Sequence, residues 1–130
     1  MAVTAGILME LAAHQAQKTA PENEAANKRL LLESKRIWSE TIRRFPLKRC
    51  EYYAQYAEAF LTDKPLAWNE MPFRPWDRSE MFFLTGLLYE SRGNFTRAQE
   101  LFTLAKDEDP TNRWPAYCAK QKLKAKKGGA

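Results

Sequence analysis

An all-α fold, built as a short array of antiparallel helix hairpins, follows from three features of the sequence. Apolar side chains recur at steps of three and four, the period of a helix with one buried face. The breaks between these stretches carry Pro46, Gly93-Asn94 and Pro110, residues that stop or cap helices. Small residues, Gly86 and Ala98, stand at the middle of two consecutive helices, where a large side chain would hold the partner away. With 130 residues, 45% apolar and 28% charged, the chain is long enough for one domain with a modest core.

The central stretch, Ser79–Pro110, sets the pattern. Phe82, Gly86 and Tyr89 line one face of a first helix, and Ala98, Leu101, Phe102 and Ala105 one face of a second. Gly93 can take the left-handed conformation that ends the first, and Asn94 can cap the second. Phe82, Tyr89 and Phe102 fill the space on either side of the small residues, giving a close-packed antiparallel pair. This stretch resembles one tetratricopeptide repeat: an opening aromatic (Phe82), a Leu-Gly pair that here is Thr85-Gly86, a Tyr (Tyr89), then Ala98, Phe102, Ala105 and a closing Pro110. Thr85 is the one departure, and it weakens a single core contact. The resemblance implies a short α-solenoid and a role in protein–protein scaffolding.

The remaining elements follow in order. Residues 1–20 predict an amphipathic helix with Val3, Ile7, Leu8 and Leu11 at helical spacing. No basic segment precedes its apolar stretch and Glu10 interrupts it, which argues against a signal peptide. The Arg and Ser of a mitochondrial presequence are missing, although Lys18 and the low acid content keep that reading open. His14, the only histidine, has no neighbour in sequence that would orient it for catalysis.

Residues 21–62 predict a first helix pair. Pro21, Glu22 and Glu24 suit a helix start. Leu30, Ser34, Ile37, Trp38, Thr41 and Phe45 then face one way along 25–45, and Pro46 stops the helix. Its partner, 48–62, has a stripe of Tyr53, Ala57, Phe60 and Leu61, with Tyr52 and Tyr56 beside it. Ser34, Trp38 and Pro46 echo Ala98, Phe102 and Pro110 at one constant interval. The run from Lys35 through Pro46 to Tyr56-Ala57-Glu58-Ala59-Phe60 is also similar to the half-a-TPR variant of the repeat, whose members occur chiefly in RNA-processing complexes.

Residues 63–78 read as a connector. With Pro65, Pro72 and Pro75 it is too proline-rich for a helix, and with Trp68, Met71, Phe73 and Trp76 too aromatic for a solvated linker. It either lies across the helices or serves as a docking strip. Residues 111–130 predict a capping helix, with Trp114, Tyr117, Cys118 and Ala125 as a thin apolar stripe, and a basic tail through Lys120, Lys122, Lys124, Lys126 and Lys127. Lys120 stands where a further repeat would place a small residue, so the array stops there.

The function classes are bounded by the same residues. No apolar run approaches the roughly 20 residues of a membrane span. Cys50 and Cys118 are far apart, without metal-ligand spacing, which points to a reducing intracellular compartment: cytoplasm, nucleus or mitochondrial matrix. No phosphate loop, nucleophile elbow or calcium loop is present, so neither catalysis, a metal, a cofactor nor a small-molecule substrate is expected. The expected role is a non-catalytic adaptor or accessory structural subunit of a larger assembly, since fewer than three full repeats are marginal alone. Trp68, Phe73, Trp76, Met81 and Leu84 are its candidate protein-binding residues. Met81, Leu84 and Thr85 occupy the surface where clamp-type repeats carry Lys and Asn, which argues against a carboxylate clamp. The net charge of +5 supports an alternative, an RNA-associated subunit using Arg43, Arg44, Lys48 and Arg49 at a helix corner with Lys124, Lys126 and Lys127 in the tail.

Overall fold

The computed structural model describes residues 2–44, 51–62 and 75–128, and every regular element among them is helical. The helices are α1 (Ala2–Thr19), α2 (Glu24–Arg44), α3 (Glu51–Thr62), α4 (Pro75–Ser91), α5 (Phe95–Glu108) and α6 (Trp114–Gly128). A single 3-10 turn, Pro21–Asn23, joins the first two. The chain divides into two compact units, Met1–Ala67 and Trp68–Ala130, each with three helices.

In the first unit α1 lies along α2, and α3 packs on α2 and touches α1. Gly6 permits the closest approach of α1 to α2: a Cβ there would fall inside the Trp38 indole. Further along, the Asn27 amide donates to Gln17 Oε1 at 2.8 Å, so the two helices run antiparallel. Trp38 is fully buried and its ring centroid lies 5.3 Å from that of Phe60 in α3, with Tyr56 a further neighbour of Phe60 at 6.0 Å. Ile7, Ala13, Ala57 and Ala59 complete this core. Ser34 and Thr41, buried on α2, donate to the carbonyls of Leu31 and Ile37 on their own helix, which satisfies both hydroxyls.

Two readings of α1 change. Leu8 is exposed, not part of the buried stripe. His14 does have an orienting neighbour: its Nε2 lies 3.2 Å from Oε2 of the buried Glu10, one helical turn earlier.

In the second unit α4 is the middle helix, packed on α5 and, more lightly, on α6. Gly86 faces α5, where a Cβ would stand 2.6 Å from Phe102 Cε1. Ser79 Oγ donates to the Ala105 carbonyl at 2.7 Å and Arg78 pairs with Glu108 at 2.8 Å, while near the turn the Arg97 guanidinium lies 4.9 Å above the Tyr89 ring. These contacts fix α4 and α5 as antiparallel. Gly93 takes a φ of 86°, and the Asn94 side chain accepts from Arg97 N at 3.2 Å, the stop and the cap that the sequence predicts.

Helix α6 returns in the direction of α4. Phe83 meets Trp114 edge-on at 5.9 Å, and Glu90, two turns later on α4, pairs with Lys122, two turns later on α6, at 2.8 Å. Met81, Phe82, Phe83, Leu84, Thr85 and Gly86 of α4 are all buried in succession. Across these six residues burial runs right round the helix, the mark of a core segment. The helix also begins earlier than the sequence predicts, at Pro75 within the connector, because proline is tolerated in the first turn of a helix.

Candidate docking groove between α5 and α6

The turn from α5 to α6 is tied by one carboxylate. Asp109, buried at the end of α5, accepts from Thr111 N at 3.1 Å, Thr111 Oγ1 at 2.6 Å, Arg113 N at 3.2 Å and Arg113 Nε at 3.1 Å. These donors, the Thr111 hydroxyl foremost, hold its pKa down at about 2. Asn112 follows with a φ of 55°, a left-handed geometry that asparagine tolerates. The tie fixes where α6 starts relative to α5, and hence the width of the space between them.

That space is a groove of about 700 Å³. From α5 it is lined by Gln99, Thr103 and Lys106, spaced four and three residues apart and therefore on one face. From α6 come Tyr117, Lys120, Gln121, Leu123 and Lys124, and Asn112 closes one end. A shallower depression beside it shares Gln99 and Thr103 and carries Glu100. The groove lining has three ammonium groups and no carboxylate. Lys106 lies 3.5 Å from Asp107 on its own helix, an exposed pair of the kind that contributes little. Among the described residues neither Lys120 nor Lys124 has an acidic partner, whereas Lys122, between them in sequence, is turned to Glu90 on α4. Chemically the groove offers hydrogen-bond donors and positive charge around a half-exposed phenol, suited to holding an anionic surface.

The residues singled out from the sequence are distributed differently. Met81 and Leu84 are not an open docking surface: both are buried, at 4% and 8% exposure. Trp68 and Phe73 lie outside the described residues, as do Lys48 and Arg49. Trp76 falls in the first turn of α4, and Arg44 in the last turn of α2, with side chains outside the description. Arg43 is exposed and pairs with Glu40 at 2.7 Å, a hydrogen bond that raises its pKa. Lys124 lines the groove, and Lys126 and Lys127 lie in the last turn of α6, their side chains outside the description. Gln99, Thr103, Lys106 and Gln121 were not singled out from the sequence, and Tyr117, read as part of a thin apolar stripe with Trp114, is exposed as Trp114 is. For Gln99, Thr103 and Lys106 the signal is the polar face of α5 opposite Ala98, Leu101 and Ala105.

Among the described residues no group of three or more His, Cys, Asp or Glu is placed to hold a metal ion, and no helix is long and apolar enough to cross a membrane. No protein-family model, no curated protein and no solved structure matches this chain.

Proposed function

We propose that this protein is a non-catalytic interaction module, an adaptor or accessory subunit that docks into a larger assembly through tetratricopeptide-like helices. The observation that carries this reading is a shared packing device. In each unit a glycine inside the first helix sits against an aromatic ring of the next helix, Gly6 against Trp38 and Gly86 against Phe102. In the second unit the third helix then runs parallel to the first, where the opening helix of a following repeat would lie. Such arrays present side chains on stacked helices and act by holding partners. The cysteine usage supports action in a reducing intracellular compartment.

The test is native capture of the tagged full-length chain, with mass spectrometry of the co-purifying material before and after nuclease treatment. A stoichiometric protein partner that survives nuclease is the expected result. Loss of all partners on nuclease treatment transfers the assignment to the RNA-associated reading. Elution of the native chain as a free monomer overturns both.

A further inference from the structure

We infer that the groove between α5 and α6 is the seat of an acidic helix from a partner protein, one that carries Asp or Glu one turn apart. The inference rests on the interaction-module reading above and adds the chemistry of the partner. The protein itself shows how such a groove is filled. Helix α6 lies against both α5 and α4 and covers the open side of that pair. The groove between α5 and α6 is the next one in the same series, again between two consecutive helices, and a helix laid there continues the packing by one step.

The lining states what kind of helix. A helix of this chain's own type would need small and apolar residues facing it, as Ala98, Leu101 and Ala105 face α4. The groove instead presents Lys106 on one wall and Lys120 and Lys124 on the other, without a carboxylate. Lys120 and Lys124 are four residues apart, a separation of about 6 Å along a helix axis, and carboxylates at i and i+4 on an incoming helix repeat at the same spacing. The Gln99 and Gln121 amides and the Thr103 hydroxyl add neutral hydrogen-bonding groups, while Tyr117, Leu123 and the lysine stems give apolar contact between the charges. Glu100, in the adjoining depression, bounds the positive zone on the far side of α5. A nucleic-acid strand is the poorer occupant. Its bases need aromatic or guanidinium faces to stack on, and the lining has one aromatic ring and no arginine.

The test uses the purified full-length chain and three dye-labelled probes read by fluorescence anisotropy. The first is an Ala- and Leu-based helical peptide with Glu at i, i+4 and i+7. The second is the same peptide with Gln for Glu, and the third an oligouridylate of equal charge. The expected result is binding of the Glu peptide alone, with a gain of helical circular dichroism on binding. Lys120→Glu combined with Lys124→Glu should weaken it by about tenfold or more, as for charge pairs at an interface. Backbone amide shifts should concentrate at Gln99, Thr103, Tyr117 and Gln121. The lysines are exposed, and unchanged circular dichroism of the variant confirms that it folds. Equal loss from reversing Lys28 and Lys35 on α2 would mean diffuse attraction and sink the proposal. Tighter binding of the oligouridylate, or no binding of the Glu peptide, overturns it as well. If the charge-reversed chain still captures its nuclease-resistant partner, the groove assignment falls while the interaction-module reading stands. Loss of that partner from a folded variant supports both.

Discussion

At Gly86 two opposed effects of one methyl group can be weighed. Glycine inside a helix costs about 1 kcal/mol relative to alanine. An alanine Cβ, however, would stand 2.6 Å from Phe102 Cε1, which forces the ring out of place. Overpacking of this kind costs about 1–3 kcal/mol, so the overlap wins. Gly86→Ala should therefore destabilise the protein by about 1 kcal/mol, read from the denaturant midpoint. In a Phe102→Leu background, where the ring edge is gone, the same change should be neutral or stabilising. A cycle in which Gly86→Ala is equally harmful in both backgrounds would show that the ring is not the obstacle.

Thr85, next to it, is fully buried, and its hydroxyl has no hydrogen-bond partner among the described residues. An unsatisfied buried hydroxyl costs about 1–3 kcal/mol. Thr85→Val keeps the shape and removes the hydroxyl, so it should raise stability by about 1 kcal/mol in the same measurement. This is the position where the repeat pattern has leucine, and the departure from the pattern places a hydroxyl in the core.

At the scale of the element, the α5–α6 junction depends on ionisation. The Asp109 carboxyl has a pKa lowered from 3.8 to about 2 by its donors, so its contribution is complete above the unfolded value. It is lost as the pH falls from about 4 towards 2. Stability measured across that window should decline, and Asp109→Asn should flatten the decline. A decline of unchanged size in the variant would assign the acid sensitivity to other carboxylates.

The elements also differ in how much of them could be read from the sequence. The α4–α5 hairpin was legible because each signal agrees: the period of the apolar residues, Gly93 at the turn, Asn94 as a cap, and small residues at mid-helix. The matching device in α1 was missed. Gly6 is followed by Ile7-Leu8 and Glu10 as Gly86 is by Leu87-Leu88 and Glu90, and that likeness would have marked Gly6 as a contact glycine. Its aromatic partner, Trp38, lies on another helix, where no local pattern links the two. Met81 and Leu84 were misassigned for a different reason. The pattern of one hairpin leaves a face of its first helix open, whereas both residues are buried. The groove combines residues from two helices whose separation is set by the Asp109 turn, so single-helix periodicity could not assemble it.

At the scale of the whole molecule, the first unit buries Trp38 and Phe60 and the second Phe82, Tyr89 and Phe102. Trp38→Ala should cost about 3–5 kcal/mol as a large-to-small core change. Amide hydrogen exchange should locate the loss of protection in α1, α2 and α3, with α4, α5 and α6 retaining theirs.

The environments of Trp38 and Trp114 give the two units different optical signatures. Trp38 is shut away from water, whereas Trp114 is about half in contact with it at the start of α6. An indole emits at shorter wavelength when dry than when wet. With Trp68 and Trp76 replaced by phenylalanine, the blue edge of the spectrum would follow the first unit and the red edge the second. Because Trp114 rests on Phe83 close to where α6 begins, a shift at that red edge would signal a ligand arriving beside α6 without any attached dye.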